Sequence, residues 1–382
     1  MTSTRPTWAE VSRSKLLHNY RHLRELAGDA TDLLAVVKAN AYGHGLAECA
    51  RVLEGVGARW FGVTSAEEGV ALRRVLPAVR IIIMSGIWEG EAETAIEHHL
   101  TPVVWEPQHL NWMAEAARRR GLGAGEVPVH LEIDTGMSRQ GVDRREVGTL
   151  VERFGPGEPL RLEAVTTHFH SPENEELTAE QVRGFVTAVD TIAAAGLRPE
   201  ILSAGSSAAV LRMETGFIAN LAMRIGARPM LRPGIALYGA APGFEAATGL
   251  EPVLAWKTRA IAFREIEPGV TVGYDVTFTA RRRTRLALLP VGYADGLNRG
   301  LSNRGSVLIR GQRAPMVGRI SMDQTIVDFT DIPGAERGDE AVLIGEQGGE
   351  KITAADMANL IGTIAYEVLC GIAARVPRVM VD

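Results

Sequence analysis

Lys38 stands directly behind an apolar run, LLAVV (33–37), and is followed by Asn40, Tyr42, Gly43 and Gly45. The run reads as a buried strand, so the lysine opens from the strand's end. An ammonium walled by apolar side chains is poorly solvated. Burial lowers its pKa and frees the amine as a nucleophile toward an aldehyde, the chemistry of a Schiff-base lysine. A lysine at a strand end can also simply snorkel to water. Other reactive types close later apolar runs. Arg139 lies in DTGMSRQG (134–141), His168 ends LEAVTTH (162–168), Ser206 and Ser207 follow EILSA (200–204), and Arg232 precedes Pro233 and Gly234.

Eight apolar runs are the candidate strands: 33–37, 60–63, 80–84, 101–105, 127–133, 162–168, 200–204 and 229–232. Helix-like stretches fill the gaps, among them 65–76, 106–120 and 178–196. The last is expected to open on a Thr178/Gln181 capping box and to end at Gly196. Eight strand–helix repeats predict an α/β chain whose N-terminal part is a (β/α)8 barrel. Active sites of such barrels form at the C-terminal ends of the strands, so these scattered side chains are expected on one rim. A Gly-, Ala- and Pro-rich stretch, 241–252, reads as a linker. Beyond it, runs at 253–263, 284–294, 305–311, 316–321, 325–329 and 340–345 predict a mostly-β C-terminal domain, with a helix at 353–362. The expected domains are 1–240 and 241–382, with 6–12 pairing into the second.

The chain has 382 residues, 46% hydrophobic and 23% charged, with a net charge of −5. Its one basic block, Arg281 to Arg283, has no interleaved aromatics, so no nucleic-acid partner is expected. Cys49 and Cys370 read as reduced core thiols. The N-terminus lacks a secretory apolar region and no run approaches membrane-spanning length; a cytoplasmic enzyme is expected.

The segment VVKANAYGHG (36–45) resembles the pyridoxal-phosphate lysine segment of alanine racemases, and the resemblance extends over nearly the whole chain. It implies pyridoxal 5'-phosphate on Lys38, with Tyr42, Ser207, Gly234, Ile235 and Tyr366 at the phosphate. SAGSSAAV (203–210) alone reads equally well as a helix N-cap. The resemblance puts Arg232, in LRPGIALYG (231–239), on the pyridine nitrogen. Arginine only donates, so that nitrogen stays unprotonated and the ring is a weaker electron sink than one facing an aspartate. It also implies a homodimer with shared active sites. Tyr274, in TVGYDVTF (271–278), serves the opposite face of a partner's substrate, backed by His168 and Arg232. Arg139 has the fork to clamp a substrate carboxylate. By resemblance Met322, in GRISMDQ (318–324), reaches the carboxylate, Asp323 is a wall residue, and Tyr293, Arg299 and Arg319 form the entry. The reaction implied is racemisation of L-alanine to D-alanine for cell-wall peptidoglycan.

Three positions depart from the family pattern. Glu132 stands where many members carry a carboxylated lysine, and it is expected to orient Arg139 by a charge-assisted pair. Asp275 replaces a usual glycine. His170 makes an H-x-H pair with His168. That pair, with Lys38 or Glu132 as a bridge, also suits a zinc hydrolase. A third reading is a coenzyme-carrying protein without turnover. A borohydride-sensitive coenzyme absorbance separates the first and second readings.

Overall fold

The eight apolar runs form eight parallel strands: Asp32–Val36, Trp60–Val63, Arg80–Ile83, Leu100–Val104, Val127–Asp134, Leu160–Thr167, Ile201–Ala204 and Arg228–Leu231. In the computed structural model, which describes residues 5–212, 216–241 and 249–382, each pairs with the next. The eighth pairs back to the first, which closes the barrel. Strands covered on both faces read as continuous apolar runs rather than alternating ones. Accordingly Ile81, Ile82 and Ile83 are all buried. Each such side chain contributes roughly 1.5–3 kcal/mol of burial free energy.

The helix Arg13–Ala27 comes before the first strand and ends with Gly28 in a left-handed conformation. The helices Ala66–Val75 and Pro107–Arg119 match expectation. The long helix does not start at Thr178. It spans Glu175–Ala194, and Asn174 caps it by accepting the N–H of Leu177. Gln181 is thereby released from capping; its side chain bonds the backbone N–H of His170 and the carbonyl of His168.

Beneath the strand ends the barrel holds a polar knot. Glu163 is almost fully buried and accepts from His130 Nε2 (3.1 Å) and Arg80 Nη2 (2.6 Å). Burial alone would raise its pKa, but the two partners outweigh this and hold it near 2. Arg80 also lies 4.6 Å from the Trp60 ring.

The second domain is mostly β. Its main sheet runs 312–315, 306–309, 340–347, 254–259, 7–12 and 378–381. The N-terminal strand is therefore part of this domain: Thr7–Ser12 pairs antiparallel with Leu254–Arg259 and parallel with Arg378–Val381. A three-stranded sheet (262–266, 284–289, 325–328) and the hairpin Thr271–Val272/Phe278–Thr279 complete it. The helix Ala354–Ile361 has Thr353 as N-cap and Gly362 in the left-handed region.

Two further expectations change. The run 316–321 is no strand: only Met316 bridges to Val327. Gly318 turns with φ 74°, where a Cβ would meet the Val272 carbonyl at 2.7 Å. Cys49 is a buried thiol, but Cys370 is exposed, on the last turn of the short helix Ala365–Cys370. Of the expected linker, 242–248 lies outside the described residues. No helix among the described residues is long and apolar enough to cross a membrane.

Candidate active site

Lys38 does not continue its strand. Ala39, Asn40, Ala41 and Tyr42 have φ of 52°, 54°, 56° and 51°, a left-handed turn without a glycine. Each such residue costs about 1–2 kcal/mol, so the surroundings must hold the turn in place. Glu68 accepts the N–H of Ala39 (2.7 Å) and of Thr64 (2.8 Å). Asn40 Oδ1 accepts the N–H of Leu46 (2.8 Å). His44, fully buried, donates from Nδ1 to the carbonyls of Ala41 and Tyr42 (3.0 and 2.9 Å). Gly43 is required by φ and by space, since a Cβ there would lie 2.3 Å from the Leu369 carbonyl.

The turn delivers Lys38 into a cavity of about 430 Å³ at the C-terminal rim of the barrel. Tyr42, Glu132, Arg139, His168, Ser207, Arg232, Gly234, Ile235 and Tyr366 line the same cavity. Burial, and then the charge of Arg139, lower the pKa of Lys38; Glu68 opposes them. Arg232 is locked by four bonds. Nη1 donates to Thr166 Oγ1 (2.8 Å) and Ser203 Oγ (2.7 Å), and Nη2 to the Thr167 carbonyl (2.7 Å) and His168 Nδ1 (3.4 Å). Its Nε–H remains unpaired among the described residues. Arginine cannot accept, so His168 Nδ1 accepts and the ring proton belongs on Nε2. Burial, then Arg232, Arg139 and Lys38, hold His168 neutral, with its pKa near 3.

Glu132 is buried, and its hydrogen-bond partner is Gln140, not the expected Arg139. Gln140 Nε2 donates to Glu132 Oε2 (2.6 Å) and to the Met84 carbonyl (3.0 Å). Burial raises the Glu132 pKa against the pull of Arg232. Arg139 makes no hydrogen bond or ion pair among the described residues, so its fork is open to an anion. The two histidines of the H-x-H pair diverge: His168 lines the cavity, while His170 bonds Ser171 Oγ (2.8 Å) at the surface. No group of three metal-ligating side chains occurs among the described residues.

The other expected residues are not in this cavity. Tyr274 stands 68% exposed on the hairpin of the second domain. Asp275 takes φ 61°, the left-handed region that suits glycine and that aspartate tolerates, and lies 3.6 Å from Arg299 and 3.4 Å from Arg319. Tyr293 and Met322 are exposed, and their strands of loop are tied together: Tyr293 N–H donates to the Ser321 carbonyl and Ala294 N–H to Met322 (3.0 Å each). Asp323 accepts from Arg375 (2.7 Å).

Family models for the alanine racemase N-terminal and C-terminal domains match residues 11–242 and 253–380. The chain belongs to the alanine racemase family. It is an isomerase by that membership. The alanine racemase of Symbiobacterium thermophilum is 41% identical over 380 residues, covering 98% of this chain and 97% of that protein. That of Halothermothrix orenii is 38% identical over 379 residues, with 98% and 97% covered. Among solved structures, alanine racemase from D-cycloserine-producing Streptomyces lavendulae superposes with a TM-score of 0.89 at 32% identity, covering all of this chain and 98% of that one. The Bartonella henselae enzyme, whose structure has covalently bound pyridoxal phosphate, gives 0.86 at 29% identity, with 98% and 99% covered.

The residues fit that coenzyme. The Ser207 hydroxyl accepts the N–H groups of Gly234 (3.0 Å) and Ala236 (3.2 Å) and keeps its own proton to donate. A Cβ at Gly234 would sit 2.3 Å from Tyr42 Oη, so only glycine leaves the cradle open. The 3-10 turn Ile235–Tyr238 begins here, and the N–H of its first residue, Ile235, is unused among the described residues. Sequence reasoning missed Glu68, Gln140, Thr166 and Ser203. Only Thr166, two residues before His168 on the same strand, carried a signal.

Proposed function

We propose that the chain racemises alanine with pyridoxal 5'-phosphate on Lys38 by a two-base mechanism in which a second copy of the chain supplies Tyr274. The observation that carries this reading is an amine of lowered pKa sharing one cavity with an unpaired Arg139 and a locked Arg232. When bound, the coenzyme supplies a ring that withdraws electrons from the substrate Cα.

The chain's own residues do the rest. Ser207, Tyr42, Tyr366, Gly234 and Ile235 hold the phosphate. Arg232 presents Nε–H to the pyridine nitrogen. Arg139 takes the substrate carboxylate in its two-pronged fork, with Met322 of the second copy beside it. Glu132 gives the cavity a carboxylate that partly balances Arg232 and Arg139. Lys38 Nζ takes or returns the α-proton on one face. The Tyr274 hydroxyl does so on the other, and a neutral His168, donating from Nε2, stabilises the phenolate that results. Tyr293, Arg299, Arg319 and Asp323 wall the approach. Residues 13–240 act as the barrel, and 241–382, joined by the strand Thr7–Ser12, as the β domain that brings the second base.

The homodimer is supported by a connected exposed surface. Val270, Tyr274, Val276, Tyr293 and Met322 are large, apolar or aromatic, and exposed; backbone bonds join the Tyr293 and Met322 segments, and the Asp275 ion pairs with Arg299 and Arg319 join the hairpin to them. A cytoplasmic role supplying D-alanine for peptidoglycan is part of this reading. Borohydride reduction of the coenzyme-loaded protein, digestion and mass analysis test the reading. The label must fall on the peptide with Lys38; a label on another lysine, or none, overturns it.

A further inference from the structure

Residues 371–378 run from the helix that carries Tyr366 to the last strand, and they hold two arginines with different partners. Arg378 donates from Nε to the Gly43 carbonyl (2.7 Å), from Nη1 to Ala373 and Val376 (2.7 Å each), and from Nη2 to Ile372 (2.6 Å). Gly43 closes the left-handed turn that begins at Lys38. Among the described residues Arg378 has no carboxylate partner, so its worth is geometric: three nitrogens on four carbonyls. A lysine, a single point donor, cannot span them.

Arg375 reaches the other way. Nε donates to Asp295 Oδ1 and Nη2 to Asp323 Oδ1, both at 2.7 Å. Asp295 is fully buried; it also accepts both terminal nitrogens of Arg5 (2.6 and 2.9 Å) and the Gly292 N–H (2.9 Å). Its carbonyl accepts the Ala373 N–H (2.9 Å). This knot fixes the loop whose Tyr293 and Ala294 N–H groups hold Ser321 and Met322.

We propose that the two arginines are positioning residues for two different active sites. Arg378 positions Lys38 in its own protomer; Arg375 positions Met322 and Asp323 for the partner's site. The segment 371–378 thus joins the two sites of one dimer. The proposal rests on the shared-site reading above.

Hybrid dimers purified by two different tags test it. A Lys38→Ala protomer paired with an intact one leaves a single live site, made from the intact protomer's Lys38 and the other's Tyr274. Arg375→Leu on the Lys38→Ala protomer raises KM for alanine at that site roughly 10- to 100-fold, the scale of a lost charge-assisted bond. On the intact protomer it changes nothing. Arg378→Leu shows the reverse placement, lowering kcat, and it weakens coenzyme binding to the apo hybrid, read by fluorescence titration. Arg375→Leu leaves that titration unmoved. Should a leucine variant fail to fold, Arg375→Lys and Arg378→Lys carry the same comparison with smaller changes. Equal effects from both placements, or none from either, overturn the proposal. A Lys38→Ala/Tyr274→Phe hybrid without activity overturns the shared-site reading instead.

Discussion

Lys38 is half-buried, lining a cavity of the barrel that carries it, whereas Tyr274 stands 68% exposed on a short hairpin of the other domain. The lysine turn is fixed by Glu68, Asn40, His44 and Arg378, and its strain persists because those bonds over-determine it. The tyrosine has exposed flanks and ion pairs at 3.4–3.6 Å through its neighbour Asp275. Surface pairs of this kind contribute roughly 0–1 kcal/mol. In the proposed mechanism one base is therefore positioned by its own chain and the other waits for a second surface. On this reading the cavity marks the first within a single chain, and the second acquires meaning only in an assembly.

Four predictions press on that contrast. Lys38→Ala removes a base and the coenzyme anchor together, so kcat falls roughly 10⁴-fold or more. Borohydride then fixes no coenzyme to the 36–45 peptide. Tyr274→Phe lowers kcat roughly 10²- to 10⁴-fold, while the urea midpoint stays where it was, because an exposed hydroxyl contributes little to stability. A large stability loss would mean that the tyrosine is packed within its own chain.

Arg139→Leu raises KM for alanine roughly 10- to 100-fold, the loss of a bidentate carboxylate contact. Unchanged KM would remove Arg139 from the substrate's side of the cavity. The smallest effect is on pH. Burial keeps His44 and His168 neutral, near 4 and 3 against about 6.5 in an open chain. The unfolded chain thus binds more protons below that value, and stability is present above it and lost as pH falls. Each histidine contributes a slope of up to about 1.4 kcal/mol per pH unit. Urea midpoints of the apo protein at pH 7.5 and 5.5 check this, and His44→Gln should flatten the fall.

The barrel was readable because its strands are short apolar runs closed by turn residues, and all eight appear within a residue or two of expectation. The start of the long helix was not, because Thr178/Gln181 and Asn174 offer competing caps, and tertiary bonds recruit Gln181 elsewhere. The run 316–321 looked like a strand until Gly318 turned it out of the sheet. The left-handed turn at 39–42 leaves no mark in residue type, since two of its four residues are alanines. Glu132 lies seven residues before Arg139 and eight before Gln140, and nothing in that spacing tells which of the two the carboxylate takes. The answer depends on where the Met84 carbonyl lies. Tyr274 read from its own neighbours is a strand tyrosine; only the resemblance singled it out.

Mixed dimers of Lys38→Ala and Tyr274→Phe protomers, each inactive alone, test the division between the two regions most directly. Random pairing in a two-fold dimer gives half hybrids with one intact site each, so activity should return to about a quarter of the unmodified enzyme's. A mixture that stays as inactive as its parents, although hybrids form, would contradict a site built from the barrel of one protomer and the hairpin of the other.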